Sequence, residues 1–139
     1  MQVITEKIAI ATRGFSDIID ITGRVATAVE RSHFTAGTVT VFISGSTAGV
    51  TTIEYEPGLL KDLPEALEKL APMDKQYHHD ATWGDGNGFA HVRAALVGCS
   101  LTVPFQERQL LLGTWQQIVV IDFDNRPRRR EIILQLMGT

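Results

Sequence analysis

The chain has 139 residues, 44% of them hydrophobic, and a formal net charge of -3. That length suits one globular domain spanning residues 1–139, and the mild acidity offers no basic face of the kind that announces nucleic-acid binding. A single cysteine, Cys99, excludes an internal disulfide framework, and no apolar run approaches the roughly 20 residues that span a bilayer. MQVITEKIAI carries no basic-then-apolar secretion signal, so the expectation is a soluble, cytoplasmic protein.

In chain order, QVITEKIAIAT sets Val3, Thr5 and Lys7 against Ile4, Glu6 and Ile8, the period-two pattern of a strand with one buried face. After Gly14 the short apolar piece FSDIID leads into ITGRVATAVERSH. There Ile21, Val25, Ala28 and Val29 recur at helical spacing, Thr22 can cap the start, His33 suits the C-terminal end, and Gly37 reads as the stop. TVTVFIS and VTTIEYE, dense in β-branched residues, predict two strands joined by the small-residue turn SGSTAG, Ser44 to Gly49.

Pro57 and Gly58 open LLKDLPEALEKLAP, whose leucines form one apolar stripe; Pro64 either kinks this helix or starts a second. YHHDATWGDGNG reads as a loop and GFAHVRAALVG as a short helix. SLTVPF, QLLLGTW, QQIVVIDFD and REIILQLMG read as strands, with ERQ and DNRP as turns. Helices within a frame of short strands predict an α+β domain with a β-sandwich-like core and two or three helices. QIVVIDF and REIILQLM are more apolar than so few helices can cover. The surplus predicts a homo-oligomer, although a sandwich closed within one chain would meet the same need.

The polar candidates fall in four places. His78, His79, Asp80, Asp85 and His91 supply imidazole and carboxylate, the groups that hold zinc while leaving a position open for water. Adjacent His78 and His79 point opposite ways in an extended segment, so only one enters a site. The geometry leaves open which of the two; the preferred reading takes His79 and His91 as metal ligands and acid–base pair, with Asp80 orienting an imidazole and His78 facing solvent, and the alternative is a solvated loop with surface histidines. In SGSTAG the hydroxyls of Ser46 and Thr47 and the backbone N–H groups can cradle a phosphate. No Walker ending is present, and a plain polar turn explains the same residues.

Of Arg126, Arg128, Arg129 and Arg130, strand alternation places Arg128 and Arg130 on one face as phosphate clamps, unless the charges merely blunt a strand edge. Trp115 can stack on a ligand ring and Gln116 can orient it, or both can fill an interface. Cys99, in an apolar context, reads as a small core residue, and no serine or cysteine nucleophile is convincingly placed.

Ser46-Thr47-Ala48-Gly49, Tyr77 to Asp80, Ala90-His91, Gly98 to Pro104, Leu112 to Gln116, Asp122 to Asp124 and Arg128 to Gly138 occur in an order that resembles the YjbQ-like family. The resemblance spans nearly the whole chain, and LGTWQ after GCSLTVP is its specific part. It implies a small α+β fold with a β-sandwich-like core, assembled as a trimer. It also implies a weak or secondary thiamine-phosphate synthase activity: joining a hydroxymethylpyrimidine diphosphate to a thiazole phosphate with loss of pyrophosphate.

Such chemistry calls for a divalent ion, zinc or magnesium, or cationic groups at the leaving diphosphate, and an aromatic or amide-lined pocket for the pyrimidine. His79, His91, Arg128 and the Trp115–Gln116 pair fit those roles. The chain departs from the family pattern where Gly45 replaces a histidine and Glu54-Tyr55 replaces Asn-Glu. Glu54 then becomes a third catalytic candidate, and Glu54, His78 or a neighbouring subunit would complete a metal site. The other readings are a noncatalytic binding module for a phosphorylated metabolite, a metal-dependent phosphoester hydrolase, and a structural oligomer. The expected partners are a small phosphorylated metabolite and further copies of the chain, with neither nucleic acid nor membrane.

Overall fold

The structure, a computed structural model, describes residues 1–139. Its elements run β1 (Gln2–Thr12), β2 (Asp17–Asp20), α1 (Thr22–Ser32), β3 (Ala36–Ile43), β4 (Ala48–Ile53), α2 (Leu59–Leu70), α3 (His78–Trp83), α4 (Gly88–Val97), β5 (Ser100–Gln106), β6 (Gln109–Leu110), β7 (Gln117–Asp122) and β8 (Arg128–Gly138). All strand pairs are antiparallel and form two sheets, one ordered β1-β8-β3-β5-β6 and the other β2-β7-β4. The α+β reading and the sandwich both hold, with four helices rather than two or three.

Alternation explains how the sheets face each other. On β8, Arg130, Ile132, Leu134 and Leu136 are buried while Arg129, Glu131 and Gln135 are exposed, and β3 buries Val39, Val41 and Ile43 on the same side. These inward rows meet Ala48 and Val50 of β4 and Ile118 and Val120 of β7, and Val25, Ala28 and Val29 of α1 join the same core. β7 is apolar on both faces because it has a layer on each side. Val119 and Ile121 point the other way, onto Leu67 of α2 and Phe89, Ala90 and Ala94 of α4. The order is therefore large sheet, small sheet, helices. The outer face of the large sheet carries no helix and leaves Phe42 and Met137 exposed. No helix is long and apolar enough to cross a membrane.

Several local readings are corrected. α1 ends at Ser32 because His33 itself takes the left-handed cap conformation (φ 62), so Gly37 falls inside β3 instead of stopping the helix. Its start is held by Asp20, whose carboxylate accepts from the Thr22 amide, while the Thr22 hydroxyl accepts from Ile118 N. Pro64 sits inside an unbroken α2, whose first turn is held by the Glu56 carboxylate accepting from Gly58 N and Leu59 N. QLLLGTW is strand only at Gln109–Leu110. Beyond it the Gln116 side-chain oxygen accepts from Gly113 N and folds the rest into a turn. β4 stops at Ile53, leaving Glu54 outside the sheet.

Candidate functional site

The polar residues collect where β4, β7 and β8 begin or end together. The inward alternation of β8 brings Arg130, and beside it Arg128, toward Asp122 and Asp124 at the end of β7, while Arg129 faces outward. Arg130 donates from Nε to Asp122 Oδ2 (2.7 Å) and from Nη2 to Asp122 Oδ1 (2.9 Å) and Thr47 Oγ1 (2.6 Å). Thr12 donates to the same Asp122 carboxylate. Asp124 Oδ2 accepts from Thr47 Oγ1 (3.0 Å) and Arg128 Nε (2.8 Å), and its Oδ1 accepts from Asn87 Nδ2 (3.2 Å).

Burial pushes both carboxyls upward, but these bonds outweigh it. Arg130, Thr12 and the Asp124 amide hold Asp122 below the ordinary carboxylate range, and the Asn125 amide, Asn87, Thr47 and Arg128 do the same for Asp124. Two buried carboxylates are thus matched by two guanidinium groups, and neither charge is left alone in the interior.

Asn87 links this plug to the histidines. Its carbonyl accepts from Ala90 N (2.9 Å) and His91 N (3.3 Å), opening α4, while its side chain reaches Asp124. YHHDATW, which lacks a continuous apolar stripe, nevertheless forms the six-residue α3. Asp80 ties α3 to α4, accepting from Tyr77 N (3.4 Å) and Gly88 N (2.9 Å). The two helices thereby place the His79 and His91 rings 4.2 Å apart, centre to centre. His79 Nδ1 lies 3.7 Å from Asp85 Oδ1 and 3.8 Å from Asp80 Oδ1. Burial lowers the His91 pKa, and the neighbouring His79 lowers it further against the pull of Asp85, Asp124 and Asp80. His78 is exposed, as expected.

His79 Nδ1 is fully enclosed and makes no hydrogen bond. An enclosed polar atom of this kind costs about 1–3 kcal/mol unless something else satisfies it. Ligand atoms of His79, Asp80 and Asp85 all lie within 4.8 Å of one another, and imidazole with carboxylates is a donor set that suits zinc better than magnesium, which prefers oxygen alone. Asp80 is already engaged by two backbone amides, which leaves His79 and Asp85 as the freer pair, with His91 beside them. These residues fit a divalent ion.

A cavity of about 310 Å³ opens beside His91, lined also by Gly45, Ser46, Ala94 and Cys99. Cys99 is exposed here and is not a core residue, because it lies just beyond the last turn of α4, before β5 begins. Other candidates lie elsewhere. Glu54 follows the far end of β4, roughly 20 Å of strand from Thr47. Gln116 donates to Thr52 Oγ1 there (3.1 Å), and Trp115 stands 71% exposed on the same loop. One chain therefore gathers His79, His91, Ser46, Thr47, Arg128 and Arg130 at one end of β4 and leaves Glu54, Trp115 and Gln116 at the other.

Sequence reasoning missed Asn87 and the two aspartates as the frame of the site. The DFD spacing, with Asp122 and Asp124 two apart in an apolar strand, was the available signal. It also missed Arg93, which is buried and donates to Glu68, to Ala71 O and to Ser16 Oγ.

The protein-family model described as UPF0047 protein YjbQ-like matches residues 6–139. A UPF0047 protein of Archaeoglobus fulgidus is 41% identical over 121 residues, covering 87% of this chain and 91% of that protein. One from Methanothermobacter thermautotrophicus is 37% identical over 138 residues, 99% and 94% of the two chains. The crystal structure of a YbjQ-like protein of unknown function from Sulfolobus solfataricus superimposes with a TM-score of 0.94 at 28% identity, covering 99% of both chains. A YjbQ/UPF0047 family protein from Clostridium acetobutylicum gives 0.87 at 32% identity, covering 95% of this chain and 99% of that one. With the match running through β1 to β8 and both helical ends of the site, the chain belongs to the YjbQ-like UPF0047 family.

Proposed function

We propose that this protein is an enzyme for a small phosphorylated metabolite, working at the end of the sandwich where His79 and His91 meet. The observation that carries the reading is the enclosed, unbonded Nδ1 of His79 facing Asp85. His79 and Asp85 would hold a zinc or magnesium ion, leaving the imidazole of His91 free. Such an ion supplies charge stabilisation at a leaving phosphate or diphosphate. His91, whose pKa is lowered by burial and by His79, stands beside the pair as the candidate base. Arg128, with 34% of its side chain exposed, adds a cation at the rim.

The reaction that agrees best with the sequence is of thiamine-phosphate synthase type, joining a pyrimidine diphosphate to a thiazole phosphate and releasing pyrophosphate. It needs a planar-ring subsite, which Trp115 and Gln116 do not supply to the histidines of their own chain. We therefore also propose a homotrimer in which a neighbouring chain brings that loop to the site, within a cytoplasmic protein that takes neither nucleic acid nor membrane as partner. Metal-dependent phosphoester hydrolysis would draw on the same ion and rim. The noncatalytic binding module is favoured by one observation, the absence of an imidazole at Gly45.

The test is elemental analysis of untagged protein purified without added metal, for wild type and the double variant His79→Ala, His91→Ala at matched oligomeric state. About one divalent ion per chain, lost in the variant, is expected. Pyrophosphate release from the two phosphorylated substrates should then vanish with it. A metal-free wild type that stays inert when zinc or magnesium is restored overturns the enzyme reading and leaves the binding module.

A further inference from the structure

Between β1 and β2, Gly14, Phe15 and Ser16 all take left-handed backbone conformations, with φ +79, +55 and +65. Glycine does this freely, but two further residues with side chains do not, so the turn persists only because its surroundings hold it. Phe15 N donates to Asp124 O (2.8 Å) and Asp17 N to Gly14 O (3.2 Å). The buried Arg93 donates from Nη1 to Ser16 Oγ (3.1 Å), and the Asp17 carboxylate accepts from Arg13 N (2.9 Å) and Arg13 Nη2 (3.2 Å). The core gains little in return, since Phe15 stays 55% exposed. It lines a cavity of about 410 Å³, larger than the one beside His91 and sharing no lining residue with it. Tyr55, 41% exposed, lines the same cavity. Its hydroxyl donates to Ile18 O (3.2 Å) and its amide to Gln117 Oε1 (2.9 Å).

We propose that this cavity binds an uncharged planar nitrogen heterocycle, which packs against Phe15 and Tyr55 and hydrogen-bonds to Ser16 and Asp17. The site is separate from the histidines, and the proposal does not rest on what they bind. Three features support it. Strain held at a half-exposed aromatic fits a ligand contact, because packing alone would bury the ring. The clamped turn fixes the Phe15 backbone and the Ile18 carbonyl fixes the Tyr55 ring before a ligand arrives, so little freedom is lost on binding. The polar groups offer bonds of both kinds: Ser16 accepts from Arg93 and keeps its O–H to donate, while each Asp17 oxygen has one bond and can accept another. A ring nitrogen beside an amino group uses both. The one cation and one anion lining the cavity, Arg13 and Asp17, are paired with each other, which matches a ligand without charge and sets aside a phosphate or carboxylate.

The experiment titrates adenine, an uncharged planar heterocycle with a ring nitrogen beside an amino group, into the full isotope-labelled chain, following backbone amide shifts by NMR and affinity by calorimetry. Shifts confined to residues 13–18 and to Tyr55 and Leu60 are expected. Phe15→Gly, which removes the ring and suits the left-handed backbone, should weaken binding about tenfold or more while melting no lower than wild type. Tyr55→Ala should weaken binding likewise, whereas Tyr55→Phe keeps the ring and should bind nearly as wild type. Unchanged affinity in both Phe15→Gly and Tyr55→Ala overturns the proposal, as does a wild type that binds no adenine or whose shifts fall at residues 78–91. Equal binding of cyclohexanol, which has a hydroxyl but no flat face, overturns the planar-ring class. Shifts in the same amides on diluting the protein alone would assign the two aromatics to a contact between copies of the chain, and would overturn it as well.

Discussion

Asp122 shows how charge is tolerated inside this sandwich. Its carboxylate has no exposed surface and is satisfied by a two-nitrogen clamp from Arg130 and by the Thr12 hydroxyl. Removing one member of such a buried pair strands the other, which costs about 3–5 kcal/mol. Asp122→Asn is therefore expected to lower the chemical-denaturation midpoint by that equivalent, with an unchanged slope. The pH dependence follows from the direction of the shifts. Asp122 and Asp124 have folded-state pKa values below those of the unfolded chain, so their contribution is fully present above the unfolded value of about 3.9 and is lost as pH falls through the folded values. Wild-type stability measured by denaturant at successive pH values should fall more steeply below about pH 4 than that of Asp122→Asn; parallel curves would contradict the assignment.

The shared face of Arg128 and Arg130 is legible in the sequence, because strand alternation is a local property. The partners of Arg130 are not. Thr47 lies 83 positions away and Thr12 reaches Arg130 through the shared Asp122 carboxylate, so nothing in the spacing along the chain ties them together.

The helices divide along the same line. α1 and α2 are readable from apolar periodicity, whereas α3 is not, since none of its six residues is buried and its polar sequence has no stripe to reveal it. What holds α3 is its docking on α4 through Asp80 and a close backbone approach at Gly88. A Cβ at Gly88 would meet Tyr77 Cβ at 2.5 Å, with no left-handed strain involved. Gly88→Ala should push the two helices apart, cost about 1–3 kcal/mol as overpacking does, and separate the histidine rings. Thermal melting together with zinc retention would measure both effects. A variant with wild-type stability and wild-type metal content would show that the helix contact does not position the pair. LLLGTW fails as a strand for the opposite reason. Its apolar residues have β character, but Gly113 and Gln116 fold it locally and leave the tryptophan outside.

At the scale of the whole molecule, the surplus of apolar strand is legible as a need for covering, and much of that need is met within the chain. β7 is enclosed between the large sheet and the helices, while the outer face of the large sheet stays open, with Phe42 38% and Met137 42% exposed on it. The trimer proposed above would use this face. Phe42→Glu is expected to convert a particle of three 15.3 kDa chains to monomer, with an unchanged far-ultraviolet spectrum, as read by light scattering after size exclusion. A trimer that survives the substitution would place the contact on another surface.

The position of β8 has a consequence for how the protein comes to be made. It follows every other strand in the chain, yet it sits inside the large sheet, paired with β1 along all eleven residues and with β3 on its other side. Until β8 has left the ribosome, β1 has no neighbour in the sheet, β3 lacks one of its two, and the row Ile132, Leu134 and Leu136 is missing from the core. Folding must therefore wait for the final strand. In that interval the nascent chain offers unpaired strand edges to any passing partner, a period in which a chaperone rather than the native fold keeps the molecule apart from its copies.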